Sequence, residues 1–180
     1  MVGRLGAVWG VLGVFALIGS ASWRLSLKAL EAFNGDYTLL WYHWVFLVPW
    51  LIFMGMSEGY RGFQQAFSPR VVARAKYLVS HPSPARVLLA PLFCMGFFHA
   101  TRKRRIVAYC LTTGIILLVL IVSQLPQPWR GLVDAGVVLG LVWGLAAMLV
   151  FAFKALIGPF DVSPETPDDP LPRAAEAGKS

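Results

Sequence analysis

Four stretches of this chain run without Asp, Glu, Lys or Arg: 5–23 (19 residues), 37–57 (21), 106–125 (20) and 135–153 (19). A helix rising ~1.5 Å per residue needs ~20 apolar residues to cross a ~30 Å hydrocarbon core. The pattern therefore predicts an all-α membrane protein with four transmembrane helices at about 5–24, 37–57, 106–125 and 133–156. These form a single polytopic domain, 1–160, with a long connection at 58–105. A fifth apolar run, 87–100, has only 14 residues, is broken by Pro91 and Gly96, and is flanked by Arg86 and by Arg102, Lys103, Arg104 and Arg105. It reads as an interfacial or re-entrant segment, with a short tilted fifth helix as the alternative.

Within the connection, Ser68-Pro69 is a helix start. From there Val71, Val72, Ala75, Leu78 and Val79 recur on one helical face, and His81-Pro82 ends the pattern. Arg70, Arg74 and Lys76 fall towards the remaining surface, which gives a short basic amphipathic helix that lies in the interface or packs on the protein's own surface. The last twenty residues, 161–180, carry four prolines and mostly small or charged side chains. They bury too little apolar area to repay ordering entropy, so a disordered tail is expected.

Charge sets the orientation. The 58–105 connection holds nine Lys/Arg, whereas the other two connections hold Arg24, Lys28 and Arg130. Positive loops stay cytoplasmic, so both termini are expected inside, in a bacterial inner (cytoplasmic) membrane. Trp41, Tyr42, Trp44 and Trp129 mark the opposite boundary. The N-terminus has a second reading as a secretory signal cleaved after Ala21. Against it, Leu25, Leu27, Leu30 and Phe33 carry the apolar pattern past that point.

Composition agrees with lipid as the solvent. The chain of 180 residues is 57% hydrophobic and 14% charged, with mean hydropathy +0.65, against ~25% charged in ordinary soluble domains. A net charge of +7 then points to anionic headgroups rather than to nucleic acid. The expected lipid contacts are Arg70, Arg74, Lys76 and the run Arg102, Lys103, Arg104 and Arg105, and the run also serves as a topology anchor.

Little in the chain suggests catalysis. The three histidines, His43, His81 and His99, have no His, Cys or acid at ligand spacing, and there is no phosphate-cradling loop, so neither metal nor cofactor is expected. Polar candidates remain: Asp134 four residues after Arg130, an interfacial pair or a pore-mouth carboxylate; His43 among aromatic rings; and Cys94 with His99. No ionisable residue falls in the middle of a predicted span.

The most specific pattern is the stripe Gly136, Gly140 and Gly144, a glycine zipper in which missing side chains let another helix approach. Gly6 and Gly10 offer a matching stripe on the first helix. The two stripes either pair within the chain or the later one self-associates across an oligomer axis. The expected function is a small integral membrane protein without catalytic activity. It would act as an oligomeric or accessory component of a membrane assembly, with a small channel or transporter within the same reading. Its partners would be anionic lipid and a second copy or another membrane subunit. The alternative is a lipid-acting enzyme at the cytoplasmic interface that uses the 81–105 segment.

Overall fold

The computed structural model describes residues 1–35 and 37–168, and among them it contains helices and turns with no strand. Helix α1 (Val2–Asn34) has 33 residues, no proline, and a length of ~50 Å at 1.5 Å per residue. It runs unbroken through Ala21. Its buried positions Gly3, Gly6, Gly10 and Val14 step by three and four residues, one face of the helix.

The next helix is longer than the hydrophobic pattern indicated. α2 (Trp41–Met54) keeps Pro49 inside it and passes directly into a π-helical stretch, Gly55–Phe67, and then α3 (Ser68–Ser80). Gly55 and Ser68, at the two junctions, both hold right-handed helical backbone, so 41–80 is one continuous helical run. It stops at His81, because the residue before Pro82 is driven out of the helical region. Two short helices follow, α4 (Pro84–Leu88) and α5 (Ala90–Met95), each with proline in its first turn. Gly96 ends α5 at φ +89, a conformation that a Cβ would strain. α6 (Arg102–Ser123) starts on Thr101, whose hydroxyl oxygen accepts the Arg104 N–H. α7 (Trp129–Ile157) completes the fold.

Among the described residues, three helices, α1, α6 and α7, are long and apolar enough to cross a membrane. The fourth expected span, 37–57, does not form one such helix: α2 has 14 residues, and the rest passes into the π-helical stretch.

α1 and α7 make the most extensive contact and run antiparallel, because Ala32 lies against Gly131 while Val14 shares a cluster with Met148. The 41–80 run lies parallel to α7: Tyr42 and His43 meet Trp129, Glu58 meets Gly140, and Val72 and Ala75 cluster with Met148. The core gathers Val14, Val71, Val72, Ala75, Leu78, Ala90, Phe93, Cys94 and Met148 where α1, α3, α5 and α7 meet. Between helices in lipid, such a core is held by close van der Waals contact more than by hydrophobic transfer.

Four expectations are corrected here. The two glycine stripes do not pair with each other. Gly136, Gly140 and Gly144 receive Trp50, Glu58 and Phe63 of the 41–80 run, whereas Gly6 and Gly10 receive Leu78, Val87, Ala90 and Cys94. The stripe on α7 is thus filled within the chain and is not free to self-associate. Second, Arg74, expected on the outward surface of α3, is only 1% exposed, and of the two placements expected for α3 the structure has it packed on the bundle. Third, residues 161–168 are not a loose tail: Thr166 is buried, and the Glu165 carbonyl accepts the Thr101 N–H. Residues 169–180 of the expected tail lie outside the described residues. Fourth, 58–67 is not a loop but helix laid against α7.

α6 stands apart. Only 6% of its most apolar window is buried, and its buried residues, Arg104, Ala108 and Val122, lie towards its two ends.

Candidate functional site

Three polar places are built into this apolar bundle. The first is at the α7 C-terminal end and is organised by Arg74. Its guanidinium donates to four backbone carbonyls: Phe93 at 2.6 Å, Pro164 at 2.8 Å, Phe98 at 3.0 Å and His99 at 3.1 Å. It also lies 4.3 Å over the Phe93 ring. The turn at the end of α5 gives the Leu92 and Phe93 carbonyls the Phe97 and Gly96 N–H groups. The carbonyls of Phe98, His99 and Pro164 lie outside any helix, and one planar fork of donors reaches these three together with Phe93. Burial lowers the Arg74 pKa to about 10, with the repulsion of Arg104 adding and nearby Cys94, Glu165 and Tyr77 opposing. Glu165 extends the cluster, 3.2 Å from Arg70 and 3.8 Å from Arg104.

Of the expected lipid contacts, Arg70, Arg74 and Arg104 are therefore committed within the protein. Lys76, Arg102, Lys103 and Arg105 remain exposed. The periodicity of α3 could not separate Arg74 from Lys76, because the carbonyls that recruit Arg74 come from a turn about twenty residues later and from the C-terminal segment.

Cys94 and His99 do not form a nucleophile and base. Cys94 is fully buried, packed beside Gly10, and burial pushes its thiol up to about 12 even with Arg74 nearby. A nucleophilic cysteine needs the opposite shift. No hydrogen bond joins Cys94 to His99 among the described residues. His99 Nε2 instead lies 3.3 Å from Asp168 Oδ2.

The second place is at the α7 N-terminal end. Arg130 Nε is 3.8 Å from Asp134 Oδ2, and Asp134 is 3% exposed. His43 caps α2, its Nδ1 accepting the Leu40 N–H at 3.0 Å, with its ring 5.0 Å from that of Trp129. Gln127 ties this corner to α1 by donating to the Lys28 carbonyl. His43 and the Arg130–Asp134 pair thus belong to one corner, and the role of His43 there is to start a helix.

The third place lies between the other two and centres on Glu58. Hydrogen bonds running i→i+5 place residues five apart on one side of a π-helix. Glu58, Phe63 and Ser68 accordingly line up on α7, meeting Gly140, Gly144 and the Gly144 carbonyl, which accepts the Ser68 hydroxyl at 3.2 Å. Gly59 and Gln64 repeat the step on Trp143, whose indole donates to Gln64 Oε1 at 2.7 Å. A Cβ at Gly140 would stand 2.9 Å from Glu58 Oε2, and that oxygen is sealed from solvent with no hydrogen-bond partner. Gly140 is six residues from Asp134 and fourteen from Lys154, or ~9 and ~21 Å along the axis. An ionisable group therefore does lie beside the apolar middle of α7. Sequence reasoning missed it because it assumed windings of 3.6 residues and ended the helix at Ser57. The available signal was the five-residue spacing of Glu58, Phe63 and Ser68.

No family model, curated protein or solved structure matches this chain.

Proposed function

We propose that this protein is a small polytopic subunit of a membrane assembly, without catalytic activity of its own. It crosses the bilayer four times with both termini inside, the second crossing made by α2 and the π-helical stretch together. The observation that carries this reading is α6. This 22-residue helix, apolar after its four basic first residues, is fixed near both ends and bare between them, with Ile106, Tyr109, Leu111, Ile115, Leu118 and Ile121 exposed. Lipid tails satisfy such a face, but a helix that contributes so little to its own bundle is also free to join another one. The glycine stripes, filled internally, support a rigid body that presents α6. The basic residues Lys76, Arg102, Lys103 and Arg105, all exposed, favour the cytoplasmic side and anionic headgroups there, at ~1 kcal/mol each near the surface.

Cys110 tests this directly, since it is exposed on α6 while Cys94 is buried. Oxidative cross-linking in native membranes, at Cys110 and in separate Leu111→Cys, Ile115→Cys and Leu118→Cys variants, should trap either a covalent dimer or an adduct with one other membrane protein. A chain that stays monomeric and uncross-linked at all four positions refutes the subunit reading.

A further inference from the structure

A carboxyl group deep in a bundle must be paired, hydrogen-bonded or neutral, because an isolated charge in so apolar a setting is too costly to hold. Glu58 is half-buried, its Oε2 is sealed against Gly140 with no hydrogen-bond partner, and neither an ion pair nor a hydrogen bond holds the group among the described residues. Neighbouring side-chain donors are used elsewhere: the Trp50 indole donates to the Val133 carbonyl at 3.1 Å, the Trp143 indole to Gln64, and the Ser57 hydroxyl to the Phe53 carbonyl at 2.7 Å. Charged groups on the elements packed around Glu58 are also engaged or remote. On α7, Arg130 pairs with Asp134 and Lys154 lies over the Phe151 ring, and no charge stands between Asp134 and Lys154. On α3, Arg70 pairs with Glu165, Arg74 serves carbonyls and Lys76 points outward; the titratable groups of α2, Tyr42 and His43, sit at its far end. Within the π-helical stretch itself, Tyr60 and Arg61 are exposed, and Glu58 forms no ion pair among the described residues. Gly140 leaves just enough room for the carboxyl and supplies no donor.

We infer that Glu58 is a proton-binding site inside the bundle, a carboxyl carried in its neutral form against Gly140 and exchanging a single proton with solution. The ligand is the proton itself. The third route is the one left, and the wide winding of the π-helical stretch places the group where that route is required. π-helical turns are themselves enriched at functional positions. The inference rests on the membrane reading above and is independent of what α6 contacts, so a negative cross-linking result leaves it standing.

Dicyclohexylcarbodiimide, an apolar reagent, adds to protonated carboxyls in hydrocarbon surroundings and leaves a stable acylurea. The full chain in liposomes should acquire this adduct at Glu58 by peptide mapping, and Glu58→Gln should lose it. With wild type alone, the labelling rate should fall about tenfold per pH unit above the midpoint of the titration, as expected for one proton. A water-soluble carbodiimide should label Glu58 at least about tenfold more slowly, because charged reagent is excluded from hydrocarbon. No adduct on wild-type Glu58, equal modification of Glu58→Gln, or a rate independent of pH would each overturn the assignment.

Discussion

Gly136→Ala and Gly114→Ala are the same chemical change in two apolar helices, and the structure gives them opposite signs. Replacing glycine by alanine in a helix interior gains ~1 kcal/mol from backbone entropy alone. Gly114, on bare α6, has nothing within 4 Å of the new Cβ, so the gain is kept and the variant should be as stable as wild type or slightly more so. At Gly136 the new methyl collides with the Trp50 indole Nε1 and stands 2.6 Å from its Cδ1. That ring must move, and it cannot move without losing the 3.1 Å bond from its N–H to the Val133 carbonyl. Overpacking costs ~1–3 kcal/mol and a lost hydrogen bond ~1 kcal/mol, which leaves Gly136→Ala about 1–3 kcal/mol less stable than wild type. Thermal unfolding in mild detergent measures the difference. Tryptophan emission provides a second readout, since Trp50 changes surroundings in one variant and not in the other. If Gly136→Ala melts no lower than Gly114→Ala, the packing of α7 on the 41–80 run is wrong, and the placement of Glu58 falls with it.

Arg74→Met should strand the carbonyls of Phe98, His99 and Pro164 and leave that of Phe93 with the Gly96 N–H alone, costing about 3–5 kcal/mol; faster hydrogen exchange over 96–101 and 163–166 would show it, and unchanged exchange would refute the role. Arg74→Lys should recover only part of this, since an ammonium cannot reproduce the planar fork. Burial lowers the His99 pKa, with Arg86 and Arg74 adding and Asp168 opposing. The folded state therefore favours neutral imidazole, and the stability this contributes is present above the ordinary value of about 6.5 and lost as pH falls through the lower folded value. Melting temperature should drop over that window in wild type and less in His99→Asn; equal drops would dismiss His99 as the cause. For orientation, a cysteine at Ser80 should react with an impermeant reagent only from the cytoplasmic side and one at Gln124 only from the opposite side, and the reverse pattern would invert the topology.

What the sequence determined by itself was the solvent and the class. Runs of apolar residues long enough to cross a membrane, few charges and a basic connection dictate helices in lipid, because only an internally hydrogen-bonded backbone survives there. The C-terminal end of α3 and the turn at Gly96 were also legible, since proline and glycine act through their own backbone geometry. The expected helix start at Ser68 was not: Ser68 already holds helical backbone, and its hydroxyl donates to the Gly144 carbonyl instead of capping. Tertiary structure decided the rest. Arg74 and Lys76 look alike on a helical wheel and end in opposite surroundings, because the carbonyls that claim Arg74 come from elsewhere in the chain. The glycine stripes announced close approach but not its partner, as the absence of a side chain carries no information about what fills the space. Ser57 looked like the end of a helix because Glu58 follows it. Only the packing of a continuing, wider-wound helix against Gly140 brings that carboxyl into the bundle, and there its neighbours, rather than its identity as glutamate, set the form it must take.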